Sequence, residues 1–422
     1  MSVTDTINTL KSELLPKLVD EGRFGTDKTK FLDFTVGEGA TQIHFQSEVI
    51  FGDVVMETEN NGKCVQSVVI KVQPFTDIPP FINLGLSYYN EFYFYNDIIP
   101  FLRKYDSTGI IDKYFPKFFY GKATQGTAPR DDILIFENLQ KLGFKAPPSK
   151  SFLSYDHIKL TLSSIAEFHS LSIVCKNRDP EGFRELTSKI VESAWTEDIF
   201  QAIGPLFSEG CKRGVLPLQN EPGYEDKLSD IFAIIDNMGP SLMKKLFIPE
   251  EPVSVICHGD FCTNNIFYKY DADDKPVGTK FYDFGFTRHA TPAIDLTYFL
   301  FMNYSPDRMS KNWDDILTTY HTALKSNPDL VDGDVCPTLE EIRLDVQRRG
   351  FFGYGRCSSF LPLILDDGDK LPDEKEWANL IVNKKDEIFN VYLGGDKATH
   401  YIALVVKHMI DQNFDFKYVL NL

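Results

Sequence analysis

Two short motifs carry residues whose types and spacing suit phosphoryl transfer. Residues 258–265, called the catalytic loop below, read His-Gly-Asp-Phe-Cys-Thr-Asn-Asn, and residues 281–285 read Phe-Tyr-Asp-Phe-Gly. The reaction needs a carboxylate that accepts the proton of the attacking hydroxyl, and oxygen ligands for Mg²⁺ beside the phosphates. The spacing assigns the first role to Asp260 and the second to Asn265 and Asp283. The pattern therefore predicts a metal-assisted phosphoryl-transfer site.

Two unrelated turns are the alternative interpretation of these motifs. Glycine and aspartate are common turn residues, so either tripeptide alone would carry little information. Together, in this order and with an asparagine between them, they favour a kinase. A short hairpin of residues 265–270 and 279–283 would bring both motifs to one metal site.

An upstream lysine and glutamate are predicted to anchor the α- and β-phosphates. Lys71 lies on an apolar strand, where a lysine is otherwise expected at an edge or facing solvent. Glu91 follows twenty residues later in an aromatic-rich helix, where a buried acid usually has a charged partner. We therefore expect the two to form a pair. The alternatives are a solvent-exposed Lys71, or Glu48 or Glu57 as its partner.

Two backbone segments could contact other parts of a nucleotide. Gly37 and Gly39 precede the first predicted strand, where a glycine loop would let backbone N–H groups approach phosphates. A plain β-turn explains these glycines equally well. Glu137 and Leu139 follow the apolar strand 133–136 and precede the helical part, so they fit a hinge whose backbone pairs with an adenine edge.

The segment after the second motif is too short for a protein kinase. Twelve residues separate Asp283 from Asp295, which leaves no room for an activation loop that ends in Ala-Pro-Glu. Thr291 has the position of an N-cap, and Pro292 that of the first helical residue. We expect Asp295 to be buried and to accept hydrogen bonds from amides of the catalytic loop. A solvated carboxylate at the helix N-terminus is the alternative.

The periodicity and the motifs together predict an α+β protein with the two-lobed, protein-kinase-like fold. A helix over residues 7–18, a strand over 43–58 and a return strand over 64–72 begin a small β-rich, nucleotide-binding lobe, predicted to span residues 1–139. Residues 140–422 are predicted to form a larger, mainly helical lobe with the catalytic loop and the acceptor site.

The composition argues against several other classes of protein. The net charge of −17 disfavours nucleic-acid binding and docking on anionic membranes. The seven cysteines form no Cys-x-x-Cys pair, which disfavours a zinc ribbon or redox motif. The N-terminus has no apolar run of signal-peptide length, and no stretch reaches the ~20 apolar residues of a membrane span. We therefore expect a monomeric, cytoplasmic protein.

The chain resembles the aminoglycoside phosphotransferase and choline kinase superfamily, and more closely the ecdysteroid kinase-like family. The resemblance covers nearly the whole chain. The matching stretches are residues 69–71, 90–95, 99–100, 137–139, 143–144, 166–169, 258–265, 283–285, 291–296 and 350–363. It implies a kinase that transfers the γ-phosphate of ATP, with Mg²⁺, to a hydroxyl, and ecdysteroid-type steroids are one known substrate class.

By position, the resemblance implies the roles given above to Asp260, Asn265, Asp283, Lys71 and Glu91. A histidine in the catalytic loop, His258, and the later Asp295 are expected to support the site without reacting.

The sequence departs from the family's usual pattern at two places. Phe261 and Cys262 stand where Leu-Trp is usual, and Gly285 stands where Gln is frequent. Cys262 is smaller than the usual tryptophan, so the substrate known for the family does not pass directly to this chain.

The sequence favours a small-molecule kinase whose acceptor is a lipophilic alcohol, with ecdysteroids or related compounds ranked first. The helical lobe between residues 150 and 360 is expected to bind this acceptor, because the other parts are committed to ATP and metal. The alternatives are a choline- or ethanolamine-type kinase, and a catalytically silent nucleotide- or hormone-binding protein with a kinase fold.

Overall fold

Five antiparallel strands form a sheet in the N-terminal part of the chain. The computed structural model describes residues 3–44, 47–60, 62–74, 83–149, 151–366 and 393–422. The strands of the sheet are β1 (Lys28–His44), β2 (Ser47–Thr58), β3 (Lys63–Val72), β4 (Phe118–Lys122) and β5 (Ile133–Glu137). Their spatial order is β1-β2-β3-β5-β4. The strand that carries Lys71, β3, is therefore the central one.

The prediction of one strand over residues 43–58 is wrong, because two strands share this part of the chain. His44 pairs with Ser47, so β1 and β2 form a hairpin whose connecting residues 45 and 46 lie outside the described part. The alternation of apolar and polar residues continues across the connection, so periodicity alone could not separate the strands. The short strand β4 is not predicted either, since five residues show too little periodicity.

The first helical segment packs on this sheet. It comprises α1 (Val3–Thr9), a π-helical turn (Leu10–Leu14) and α2 (Leu15–Asp20). The apolar residues at helical spacing turn one face of the segment towards the strands. Side chains from both sides form one core, which includes Leu10, Leu15, Leu18, Ile50, Val54, Val68 and Ile70.

A second helical segment follows β3 and joins a different core. It comprises α3 (Leu84–Tyr93), a π-helical turn (Phe94–Ile98), α4 (Ile99–Arg103) and α5 (Ile110–Tyr114). Its buried side chains belong to the hydrophobic core of the helical part of the chain. One core therefore extends to both sides of residue 139, and it fixes α3 to the helical part.

The helical part is arranged around one long buried helix, α6 (Tyr155–Arg178). Its broad apolar face predicts this central position, and the prediction is confirmed by the complete burial of Leu162, Ile165, Phe168 and Leu171. The other helices are α7 (Pro180–Thr187), α8 (Glu197–Val215), α9 (Glu225–Asp236), α10 (Pro240–Leu246), α11 (Ala293–Asn303), α12 (Pro306–Lys325), α13 (Leu339–Arg349), α14 (Phe351–Leu365), α15 (Gly395–Asp411) and α16 (Phe416–Leu420).

Gly204 and Pro205 predict a helix break, and this prediction is wrong because both residues lie inside α8. Helix α8 packs against α9, α14 and α15. Tertiary packing of this kind outweighs the local preference of a proline for a helix end.

One helix among the described residues is long and apolar enough to cross a membrane, namely α6. Its most apolar window is 78% buried inside the protein. That burial is typical of a core helix, which passes the same test of length and composition.

Two small antiparallel strand pairs frame the chemical motifs. The first pair is β6 (Val255–Cys257) with β9 (Arg288–Ala290), and the second is β7 (Ile266–Tyr270) with β8 (Pro276–Phe281). The catalytic loop joins β6 to β7, and the second motif joins β8 to β9. Both motifs therefore emerge at the same end of these pairs.

Candidate active site

The tight turn of the catalytic loop requires glycine at position 259. Gly259 has a φ angle of 83°, and a Cβ atom there would lie 1.8 Å from the carbonyl oxygen of Phe286. The neighbouring His258 is fully buried, and its Nε2 lies 2.9 Å from the carbonyl oxygen of Tyr282. His258 thus joins the catalytic loop to the second motif.

A buried carboxylate at the start of α11 holds the backbone of the catalytic loop. The helix begins at Ala293 with Pro292 at the N-cap, one residue later than predicted. Asp295 is fully buried, and its two oxygens accept hydrogen bonds from the N–H groups of His258 (2.7 Å) and Gly259 (2.9 Å). The carboxylate therefore fixes the two peptides that directly precede Asp260.

A histidine of α6 completes the surroundings of Asp295. His169 Nε2 donates to Asp295 Oδ2 at 3.2 Å, and His169 Nδ1 accepts from the Tyr320 hydroxyl at 2.8 Å. Burial alone would raise the pKa of Asp295, but the hydrogen bonds from His169 and the Gly259 amide hold it below its ordinary value. Ligand atoms of His169, Cys257 and Asp295 also lie within 4.8 Å of one another. Because both carboxylate oxygens already accept protein hydrogen bonds, we interpret this cluster as support of the loop.

Both carboxylate oxygens of Asp260 are bonded to side chains. Asn265 Nδ2 lies 3.0 Å from Asp260 Oδ2 and 2.8 Å from the Asp260 carbonyl oxygen. Arg356 of α14 donates from Nη2 to the other carboxylate oxygen, Oδ1. Sequence reasoning missed Arg356. It lies within the stretch 350–363 that the resemblance covers, but no local pattern marks it as a partner of Asp260.

Asn265 and Asp283 lie at the same end of the β7–β8 hairpin. The Tyr282 N–H donates to the Asn265 carbonyl oxygen at 3.2 Å, which places Asp283 directly beyond this bond. Asp283 has a φ angle of 67°, a left-handed conformation that is uncommon for a residue other than glycine. Asn265 turns its amide nitrogen to Asp260, which leaves the amide oxygen for a cation. An amide oxygen and a carboxylate are the hard oxygen ligands that Mg²⁺ takes, so these residues fit that ion.

The predicted Lys71–Glu91 pair is present and includes a third group. Lys71 Nζ lies 2.6 Å from Glu91 Oε2 and 2.9 Å from Asp283 Oδ1. Neither Glu48 nor Glu57 is its partner. Burial would lower the pKa of Lys71, but the two carboxylates outweigh this effect and raise that pKa. Burial also raises the pKa of Glu91, against the opposing effect of the Lys71 ammonium.

Helix α3, which carries Glu91, is bound to the helical part by side-chain hydrogen bonds. Asn90 donates to the Val191 carbonyl oxygen at 2.7 Å and accepts from the Val191 N–H at 3.1 Å. The Tyr93 hydroxyl donates to the Leu186 carbonyl oxygen at 2.9 Å. These bonds fix the helix next to Glu91, so the position of the carboxylate is set by the packing of α3.

The second motif packs tightly against the same helix. Phe284 stacks on Phe94 with ring centroids 3.7 Å apart. A Cβ atom at Gly285 would lie 2.1 Å from Ser87 Oγ and 3.3 Å from the Ser87 carbonyl oxygen. The close approach of α3 therefore explains the glycine at this position.

The predicted position of the glycine loop is wrong, because both glycines lie within β1. Gly37 and Gly39 fall in a register shift of the β1–β2 ladder, between Val36 and Thr41. In such a bulge, the segment of residues 37–40 has no partners in the β1–β2 ladder. Its capacity to bind phosphate stays a prediction.

Glu137 and Leu139 lie where the sheet ends and the helical part begins. Glu137 is the last residue of β5, and Leu139 starts a short 3₁₀ turn. The Glu137 N–H donates to the Lys117 carbonyl oxygen at 2.9 Å, and the Asn138 N–H donates to the Ser67 carbonyl oxygen at 3.1 Å. The N–H groups of Glu137 and Asn138 therefore already have acceptors. Of the N–H groups of residues 137–139, that of Leu139 is the one that would donate to an adenine edge.

An apolar cavity of about 150 Å³ adjoins the catalytic loop on the side of α11 and α14. The guanidinium of Arg356 lies over two rings of its lining, 4.8 Å from the Tyr298 centroid and 4.6 Å from the Phe360 centroid. Arg356 therefore contacts both the aromatic lining of the cavity and Asp260. The lining residues are Cys262, Thr263, Asn264, Tyr298, Met302, Asn303, Phe360, Leu363 and Ile364.

Comparison with known proteins agrees with this geometry. The model of the ecdysteroid kinase-like family matches residues 44–332, which is more than half of the chain and includes both motifs and the Lys71–Glu91 pair. No curated protein matches the chain significantly. The α+β architecture with its five-stranded antiparallel sheet is that expected of the kinase-like fold. The chain therefore belongs to the ecdysteroid kinase-like family.

Proposed function

We propose that this protein is an ATP- and Mg²⁺-dependent kinase that transfers the γ-phosphate to a hydroxyl group of a lipophilic small molecule. The observation that carries the proposal is the contact of Lys71 with both Glu91 and Asp283. These contacts bring a largely buried ammonium, that of Lys71, next to a candidate metal ligand, Asp283, whose neighbour Tyr282 bonds Asn265. The family, which is one of kinase-like small-molecule phosphotransferases, supports the same reaction.

Each polar side chain of the site has one task in this proposal. Lys71, kept in place by Glu91, binds the α- and β-phosphates of ATP. Asn265 and Asp283 hold Mg²⁺, which supplies positive charge next to the phosphates. Asp260 orients the acceptor hydroxyl and takes its proton as the hydroxyl oxygen attacks the γ-phosphorus.

The apolar cavity supports a lipophilic acceptor. Its lining is aliphatic, aromatic or uncharged, and it adjoins the loop that carries Asp260. Burial of apolar surface is the main source of affinity that such a lining offers. The cavity lies in the helical lobe, and its volume of about 150 Å³ suits an apolar part of an acceptor. Steroid alcohols such as ecdysteroids agree with the apolar lining and with the family. We rank them first.

A choline- or ethanolamine-type acceptor is the second candidate, and one contact disfavours it. A cationic acceptor would need aromatic faces and acids. The faces of Tyr298 and Phe360 already hold the Arg356 guanidinium, and none of the described lining residues is acidic. A second cation at this place would be repelled.

Transfer of labelled phosphate from ATP to candidate acceptors tests the proposal. Ecdysteroids, plant phenolics and choline are compared side by side with Mg²⁺, and Asp260→Asn serves as the matched inactive control. We expect turnover with an ecdysteroid or another lipophilic alcohol. Turnover with choline alone would contradict the acceptor class, and ATP binding without any turnover would favour the silent binding protein.

We further propose that the protein acts as a cytoplasmic monomer without nucleic-acid or membrane partners. The net charge of −17 supports this proposal, because it disfavours binding to nucleic acids and to anionic membranes. Size-exclusion chromatography with light scattering tests the oligomeric state, and a mass near twice 48.2 kDa would contradict it.

A further inference from the structure

The catalytic loop contains no cation for the group that is transferred. None of residues 258–265 is a lysine or an arginine. During phosphoryl transfer, negative charge is spread over the oxygens of the moving phosphoryl group, and enzymes stabilise it with nearby cations. In the proposed function, Lys71 is committed to the α- and β-phosphates. A cation on the acceptor side of the γ-phosphate must therefore come from another element.

Arg356 is in the place where such a cation would act. Its Nη2 bonds Asp260 Oδ1, the carboxylate that would receive the acceptor proton. The side chains of Arg356 and Asp260 are 12% and 21% exposed, so the pair lies in a partly desolvated cleft where charge interactions are strong. Arg356 comes from α14, which packs against α11 beside the catalytic loop.

The guanidinium is fixed in orientation but not saturated with hydrogen bonds. Its planar faces lie over Tyr298 and Phe360, which restricts its rotation. Nη2 makes its bond to Asp260 and a long one, 3.5 Å, to the Tyr298 hydroxyl. Nε is buried without a partner among the described residues. A guanidinium has five N–H donors, so several remain for a ligand with multiple acceptor oxygens.

A purely structural role for Arg356 explains less of this arrangement. Asn265 already donates one hydrogen bond to the Asp260 carboxylate and one to the Asp260 carbonyl oxygen, so the side chain and the backbone of Asp260 are both held without the arginine. A counter-ion alone needs no spare buried donor, and an unsatisfied buried N–H is costly. A phosphoryl group, with its three oxygens, would satisfy those donors.

We propose that Arg356 is a catalytic residue that binds the transferring phosphoryl group, an inference that rests on the proposed kinase function. As the acceptor oxygen forms its bond to the γ-phosphorus, the bond from that phosphorus to the β–γ bridging oxygen breaks. ADP leaves with the electron pair, and the acceptor proton passes to Asp260. Arg356 neutralises the charge on the phosphoryl oxygens during this step, and the acceptor hydroxyl replaces the guanidinium at Asp260 Oδ1.

The test compares Arg356→Gln, Arg356→Lys and a matched surface control, Arg343→Gln. Arg343 lies on α13 and forms an ion pair with Asp314 at 2.8 Å, away from the site. For Arg356→Gln we expect a kcat about 1,000-fold lower, the low end of what a phosphoryl-binding arginine supplies, with unchanged affinity for Mg·ATP. Arg356→Lys keeps the positive charge but lacks the planar guanidinium, so its kcat should be roughly tenfold lower than that of the wild type. Arg343→Gln should match the wild type.

A second readout measures binding rather than turnover. Calorimetry with MgADP and fluoroaluminate, which mimics the transferring phosphoryl group, should show much tighter binding than MgADP alone. Arg356→Gln should lose this gain while Asp260→Asn keeps it. Retention of the gain in Arg356→Gln, or equal loss in both variants, would show that Arg356 acts only through Asp260 and would overturn the inference.

The outcomes separate this inference from the proposed function. If the wild type neither binds Mg·ATP nor transfers phosphate, the kinase function itself is wrong. If the wild type transfers phosphate and Arg356→Gln does so at the same rate, the role of Arg356 alone is wrong. Should Arg356→Gln fail to fold, the fluoroaluminate affinity of Arg356→Lys decides, because a wild-type value would contradict a role for the guanidinium fork.

Discussion

Replacing Asp295 by asparagine tests whether one buried carboxylate shapes the catalytic loop. Its two oxygens accept the N–H groups of His258 and Gly259 at 2.7 and 2.9 Å. Asparagine has one oxygen and one NH₂ group at the same positions. In Asp295→Asn the NH₂ group must therefore face the Gly259 N–H at the Oδ1 position, or both the His258 N–H and His169 Nε2 at the Oδ2 position. At least one buried donor then loses its acceptor.

We expect Asp295→Asn to lower the free energy of unfolding substantially, although it replaces only one oxygen by an NH₂ group. A hydrogen bond to a charged group contributes about 1.5–3 kcal/mol, and an unsatisfied buried donor costs about 1–3 kcal/mol. Because Asp295 has no exposed surface, solvent cannot replace the lost bond. We expect the free energy of unfolding to fall by about 3–5 kcal/mol, which lies within the sum of these two contributions.

The loss should depend on pH in a defined direction. The pKa of Asp295 lies below its ordinary value in the folded protein. A carboxylate with a lowered pKa stabilises the fold fully above its unfolded pKa, about 3.9, and loses that contribution as the pH falls through the folded value. The gap between the wild type and Asp295→Asn should be constant from pH 5 to 7 and should shrink below about pH 4.

Urea unfolding followed by circular dichroism measures the gap, and phosphate transfer measures the effect on the loop. We expect kcat to fall more than the affinity for Mg·ATP, because the shifted peptides carry Asp260. Asp314→Asn is the control, since Asp314 is 84% exposed and should change stability by less than about 0.5 kcal/mol. A loss in Asp295→Asn no larger than in this control would refute the reasoning.

Three further predictions concern the groups around the nucleotide. Asp260→Asn should lower kcat by about 100–10,000-fold with Mg·ATP binding intact, whereas Asp283→Asn should also weaken Mg·ATP binding; equal, near-normal activity of both, measured by transfer kinetics and calorimetry, would contradict these roles. Lys71→Met should raise the KM for ATP and lower kcat by on the order of 100-fold, and Glu91→Gln should do so more mildly; an unchanged KM in a nucleotide titration would count against the pair. Gly285→Ala should destabilise the protein by about 1–3 kcal/mol through overpacking against α3, and unfolding midpoints equal to the wild type would show that the helix yields freely.

The groups predictable from sequence are those that local chain geometry brings together. Asp260, Asn265 and Asp283 lie within one short loop-and-hairpin unit, so their order and spacing nearly determine their proximity. Lys71 is predictable because a lysine on an apolar central strand needs a partner, and Glu91 is the acid in the following helix. Asp295 is predictable as a support because it opens an apolar helix directly after the second motif.

The groups that sequence reasoning missed depend on packing between distant elements. Arg356 reaches Asp260 only because α14 packs on α11, and no spacing rule links the two residues. The apolar cavity has the same origin, since its walls come from the loop and both helices. Similarly, Pro205 remains inside α8 because of neighbouring helices. Residues 45 and 46, which lie between β1 and β2 in the sequence, include no glycine or proline that would mark the end of a strand.

The anchoring of α3 has a consequence for regulation. In a switchable kinase, the helix that carries the lysine's glutamate partner moves outward to break the pair. Here Asn90, Tyr93 and the stacked pair Phe94–Phe284 attach α3 to the helical lobe on the side next to Glu91. An outward movement would have to break these bonds and expose buried aromatic rings. We infer that the Lys71–Glu91 pair is constitutively assembled, so that the proposed kinase activity would be set by the amounts of protein and substrates.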